Sequence, residues 1–233
     1  PYRHEWVSFL LFQAFVADKN DHQWLEALSE INQDAFSSCF KDGLDGANSP
    51  KLSELPAFGR LVAWLIVTHH RLPIYPGWKE NSPPNLQYLD EWVDKNFNAL
   101  WNSYRCNDAD QKERIDENWV FAALPSQSMQ WRSKACMLAS EALPRLNAWL
   151  SSDEDWLHEQ LYTSHLSRLS LILADHYYSS QDEVTQEWRN PHYRVYANTQ
   201  WVDGKQQYKQ QLDEHLIGVA QHAMKITRAL PRL

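Results

Sequence analysis

Apolar positions recur along this chain with the 3.6-residue period of helices, and strand-like alternation is scarce. Residues 3–16 put His4, Val7, Leu11 and Phe15 on one face of an amphipathic helix, with His4 in its first turn. Residues 21–40 continue as a second helix, for which Asp21 is the expected N-cap. After a loop over 43–50, Ser53 opens a strongly apolar helix whose stripe of Phe58, Leu61, Val62, Leu65 and Ile66 leads on to His69. Pro73, Pro76 and the Pro83-Pro84 pair close it. Further helices are expected over 86–101, 126–143, 144–150, 153–180 and 205–230, with a charged, solvated stretch at 105–118. The polar and aromatic span 181–204 reads as an irregular loop, an insertion or a short hairpin. The pattern predicts an all-α domain without internal repeats.

Composition narrows the class. With 233 residues and 43% apolar content the chain can bury a full core, and 1–233 reads as one large domain with insertions. The 12 Trp, 10 Tyr and 8 Phe are first of all packing anchors between helices. Cys39, Cys106 and Cys136 form no CxxC, which points to a reduced, cytoplasmic chain without a disulfide framework or zinc ribbon. No apolar run approaches the roughly 20 residues that span a bilayer, so no membrane partner is expected. A net charge of −8 excludes a surface that holds nucleic acid by charge alone, but it suits a carboxylate-bearing metal site. The chain opens at Pro1 without Met and reads as an excised piece of something longer.

Two places carry candidate chemistry. His69 and His70 end the apolar helix; a lone imidazole there would be a hydrogen-bonded core residue, whereas a consecutive pair can aim two neutral nitrogens at one or two metal ions. The two lie about 100° apart on an α-helix, so they share one ion only where the helix ends or distorts. Asp175 follows the apolar run of 168–174, where a carboxylate needs an ion pair, for which Arg168 is available, or a metal. His176 points away from Asp175, and His22 and His158 lie in polar surroundings. His165, His192 and His222 have no recognisable partner spacing.

The motifs Arg3-His4-Glu5-Trp6-Val7-Ser8, Thr68-His69-His70-Arg71-Leu72-Pro73 and Leu173-Ala174-Asp175-His176-Tyr177-Tyr178 together resemble the later metal-ligand motifs of the HD superfamily. The similarity is greatest to the HD nuclease domain of the CRISPR-associated helicase–nuclease of type I systems, in its Trp-rich type I-F form with a fused adaptation subunit. The resemblance implies an HD-type helical domain with His4, His69 and His70 on one metal ion and Asp175 on its neighbour. The segment 212–220 is similar to the helix that carries the family's first histidine, which would make His215 a further ligand; a partly exposed histidine on an amphipathic helix is the plain alternative. No His-Asp dipeptide occurs in the chain, although the family is named for that pair, and it is expected upstream of Pro1. The fragment alone is therefore expected to be inactive.

The resemblance also implies the reaction and its company. Two transition ions (Mn, Fe, Co or Ni) would activate water against a phosphodiester of single-stranded DNA. The threading motor, with its ATP, would lie outside this chain, which has no Gly-x-x-x-x-Gly-Lys-Ser/Thr motif and only six glycines. Implied partners are the helicase domain and adaptation subunit of the same polypeptide, the CRISPR surveillance complex and the adaptation integrase. Two other readings stand beside this one: an HD-type phosphohydrolase acting on nucleotides, and a non-enzymatic helical interaction module.

Overall fold

The structure, a computed structural model, describes residues 4–35, 51–70, 94, 122–150, 161–181 and 195–230. It is all-α apart from one small hairpin, with six α-helices among the described residues. The chain divides into two compact units, Pro1–Asp21 with Cys39–Val120 and His22–Ser38 with Phe121–Leu233. The expected loop over 43–50, the helix over 86–101 apart from Asp94, the charged stretch over 105–118 and the start of the 153–180 helix lie outside the described residues, as do Cys39, Cys106, His158 and His192.

In the first unit, α1 (His4–Val16) packs on α3 (Ala57–Thr68). Trp6, Phe9, Leu10 and Val16 form the buried side of α1, whereas Val7, Leu11 and Phe15 of the expected face are half-buried. In α3 the buried row is Gly59, Ala63 and Val67 at i, i+4 and i+8, joined by Leu61 and Thr68; the rest of the expected stripe is half-buried. Both helices are apolar almost all round, so period alone does not choose the inward face.

The start of α3 departs from expectation for a local reason. A proline at 56 disfavours helical backbone at Leu55, which is extended (φ −79°, ψ 149°), and α3 begins only at Ala57. Ser53 sits instead in a 3-10 turn (Leu52–Glu54), where its amide and hydroxyl donate to the Asp94 carboxylate. Pro56 brings no capping side chain, and the open amides of α3 are met from elsewhere: Phe58 N and Gly59 N each donate to the Asp21 carboxylate at 2.8 Å. Asp21 is the first residue of α2 (Asp21–Ser29), but the helix it caps is α3.

α2 stops at Ser29 rather than 40, and the polar side chains beyond supply local alternatives to helix. Ser29 Oγ donates to Glu26 O at 2.7 Å and Asp34 N to Asn32 Oδ1 at 2.9 Å.

The second unit contains α4 (Met129–Leu150), α5 (Leu161–Ser180), α6 (Leu212–Ala229) and the hairpin. Ser128 caps α4, accepting the Trp131 amide at 3.3 Å while its hydroxyl donates to Asp213 at 2.6 Å. The two helices expected over 126–150 are one: α4 runs through Pro144, which forfeits a single amide bond, and buried Ala139 and Leu146 anchor the turns on either side. α5 packs closely on α6 because Gly218 leaves room for the Tyr178 ring; a methyl group at 218 would overlap it.

The strands β1 (Thr199–Val202) and β2 (Lys205–Tyr208) pair antiparallel around Asp203-Gly204. Both turn residues have positive φ (49° and 74°), the conformation of a two-residue hairpin turn of the type that matches strand twist. The expected helix over 205–230 thus loses its first seven residues, four of them to β2. The ladder continues below the strands through Lys209 N→Asn198 O (2.9 Å), Ala197 N→Gln210 O (2.8 Å) and Leu212 N→Val195 O (2.8 Å), and so delivers the chain into α6.

Candidate metal centre

α3 ends where chemistry would need it to end. Thr68 is its last residue, His69 is the C-cap with φ −62° and ψ −25°, and His70 lies just beyond. The two rings turn toward each other with centroids 4.1 Å apart, and the first turn of α1 brings His4 to both. His4 Nε2 stands 3.2 Å from His69 Nε2 and 3.1 Å from His70 Nε2. Among the described residues, these three are the group of His, Cys, Asp or Glu side chains whose ligand atoms converge, all within 4.8 Å.

The tautomer of His69 follows from its other nitrogen. Nδ1 lies 2.7 Å from Ile66 O, and since a carbonyl only accepts, Nδ1 carries the proton and the Nε2 lone pair faces the cluster. That is how metal-bound imidazoles are usually oriented. The His4 ring has a carboxylate behind it: Nδ1 is 3.6 Å from Oε2 of Glu5, too long for a hydrogen bond but close enough for an ionic contact, and Glu5 is buried. Three nitrogens at this spacing repel unless a proton or a cation lies among them. Nitrogens about 2.1 Å from one ion stand roughly 3.0–3.4 Å apart for octahedral to tetrahedral arrangements. The His4–His69 and His4–His70 spacings therefore suit a divalent transition ion, and the His4 side chain, 68% exposed, leaves the cluster open to solvent.

In the second unit Asp175 of α5 meets His215 of α6, with Oδ1 3.1 Å from Nε2 and side chains only 17% and 12% exposed. Burial lowers the pKa of Arg168, the ion-pair candidate two turns earlier on α5. His22 is exposed, as its polar surroundings suggested, and lies 3.3 Å from Glu26; His165 and His176 are exposed as well. His222 rests 4.4 Å from the Tyr177 ring, and desolvation, then Lys225, lowers its pKa.

Three residues that sequence reasoning passed over take part. Glu5 stands behind His4, while Gln210 and Asn198 surround His215: Gln210 Oε1 lies 3.1 Å from His215 Nδ1 and accepts from Asn198 Nδ2 at 2.8 Å. Gln210 belongs to a polar run, Lys209-Gln210-Gln211, that is buried throughout, and no spacing rule marks such a run as internal.

No protein-family profile matches the chain. It is 38% identical over 243 residues to a CRISPR-associated nuclease/helicase, Cas3 subtype I-F/YPEST, of Pectobacterium atrosepticum (strain SCRI 1043), and 38% identical over 241 residues to the protein of that description from Pseudomonas aeruginosa (strain UCBPP-PA14). Each match takes in 100% of this chain and 21% of the relative, so the chain spans about one fifth of their length. Over its whole length the chain is thus similar to one segment of these CRISPR-associated nuclease/helicases.

Proposed function

We propose that the chain is a metal-dependent HD-type nuclease domain that hydrolyses phosphodiesters of single-stranded DNA in CRISPR interference. The observation that carries this is the convergence of His4, His69 and His70 through their Nε2 atoms, in a chain similar throughout to a segment of proteins named as nuclease/helicases. In this reading His4, His69 and His70 are its ligands for one divalent transition ion, and Asp175 with His215 holds a second. Mn, Fe, Co or Ni suit imidazole and carboxylate together. When bound, such ions lower the pKa of water and offset charge developing on a phosphodiester. The protein's own part is orientation: the Ile66 carbonyl fixes the His69 tautomer, the end of α3 lets adjacent histidines converge, and the open face at His4 admits a polymer strand. The motor and its ATP belong to the helicase part of the same polypeptide, and the fused adaptation subunit, the surveillance complex and the adaptation integrase are its partners.

The test uses the complete protein, stripped with a chelator and reloaded with Mn or Co. Cleavage of single-stranded DNA that tracks bound metal, with mononucleotides left intact, is the expected result. Hydrolysis of mononucleotides in place of DNA would move the domain to the nucleotide phosphohydrolases. No metal uptake would leave the histidines structural.

A further inference from the structure

Gln210 is wholly buried, and every polar atom of its side chain is committed. Its Nε2 donates to Tyr178 O at 2.5 Å, near the C-terminal end of α5, where Lys209 Nζ likewise donates to Ser179 O at 2.8 Å. The Tyr178 carbonyl can only accept, so the amide is held with nitrogen toward α5 and oxygen toward α6. That oxygen accepts from Asn198 Nδ2 (2.8 Å) and faces His215 Nδ1 (3.1 Å). Asn198 Nδ2 also stands 3.4 Å from that nitrogen, but its shorter bond goes to the Gln210 oxygen; two lone-pair atoms 3.1 Å apart would repel, and the closer contact puts the proton on Nδ1 of His215. In the neutral imidazole Nε2 then bears the lone pair, and it points at Asp175 Oδ1, itself an acceptor, 3.1 Å away. An acceptor aimed at an acceptor in a mostly buried pocket calls for a proton or a cation between them.

We infer that Gln210 is the positioning residue of this pair: it locks His215 as the Nδ1-H tautomer and presents Nε2, beside Asp175, to a divalent cation. The pairing of Ala197 with Gln210 and of Asn198 with Lys209 at the foot of the hairpin fixes the two amides in register, so the hairpin braces the lock. The inference rests on the proposal that Asp175 and His215 are ligands, and it adds the residue that sets the ligand's protonation.

The test is a mutant cycle on Mn affinity, read from free Mn by electron paramagnetic resonance in the complete protein, with metal-free thermal melting alongside. Gln210→Leu removes the acceptor and should weaken Mn binding about 10- to 100-fold. In the His215→Ala background the same change should cost nothing further, because its effect passes through that imidazole. Gln210→Glu keeps an oxygen toward Nδ1 while giving up the donor toward Tyr178, and should stay within a few-fold of the parent. A purely structural role for Gln210 predicts the opposite: equal losses for Leu and Glu, additive with His215→Ala, and either result overturns the inference. Unchanged Mn binding in His215→Ala alone would instead remove the ligand assignment itself. A weakened His215→Ala with parental Gln210→Leu would sink the lock and leave that assignment standing.

Discussion

The two imidazole sites are built by opposite means. His69 and His70 are adjacent in sequence, come to one point because a helix stops at Thr68, and need only the first turn of α1 to complete a cluster that stays open at His4. The Asp175–His215 pair joins residues 40 positions apart, is mostly buried, and depends on a hydrogen-bonded amide, a hairpin foot and the end of α5. The difference teaches that a cluster at a helix end needs little support from its surroundings, whereas a buried acid–imidazole pair needs everything around it satisfied. Substitutions should accordingly act locally at the first site and propagate at the second.

The largest effect is expected at Asp175. Asp175→Asn in the complete protein should abolish cleavage while the melting temperature stays near the parent, since the amide keeps shape and hydrogen bonding and loses the charge that holds a cation. Full cleavage with a lowered melting temperature would assign Asp175 to a structural pairing, with Arg168 the candidate, and would dissolve the comparison.

How much of this was legible in the sequence divides along the same line. The all-α class, α1 and the helix that ends at His69-His70 were readable because local period reports on local structure, whereas the ligand set rested on the motif resemblance. The inward face of α3 was not: Gly59, Ala63 and Val67 are buried in a helix that is apolar on almost every side, and the choice belongs to packing. Nor was Asp21's role, since nothing local says that an aspartate at the head of one helix will cap another 36 residues on. The hairpin was allowed for within 181–204, but the helical period was extended back over β2, where the Asp203-Gly204 dipeptide was the signal against it. Gln210 and Asn198 had no signal, because buried amides reveal themselves only by their partners.

A middle-sized effect belongs to the packing that supports the second site. Gly218→Ala places a methyl group against the Tyr178 ring, and Tyr178 in turn donates its hydroxyl to Glu214 at 3.3 Å. Overpacking of this kind costs about 1–3 kcal/mol, to be read from chemical denaturation at constant slope. The metal affinity of the Asp175–His215 pair should fall with it, and that of the histidine cluster should not.

The smallest effect is a pH dependence. The His222 pKa is lowered by desolvation and then by Lys225, so the unfolded chain binds more protons than the folded one just below the ordinary histidine value of about 6.5. The contribution of His222 is therefore present above that value and is lost as pH falls through the window between it and the depressed folded value. His222→Gln should flatten the stability–pH slope in that window; an unchanged slope would show that the ring beside Tyr177 titrates as it does in water.

The central claim is that His4, His69 and His70 bind one metal ion through nitrogen, and X-ray absorption of the Co-loaded complete protein tests it most directly. At least three imidazole nitrogens at about 2.1 Å are expected, with one lost in each of His4→Ala, His69→Ala and His70→Ala. An oxygen-only shell, or a nitrogen count that none of the three substitutions alters, would contradict the account.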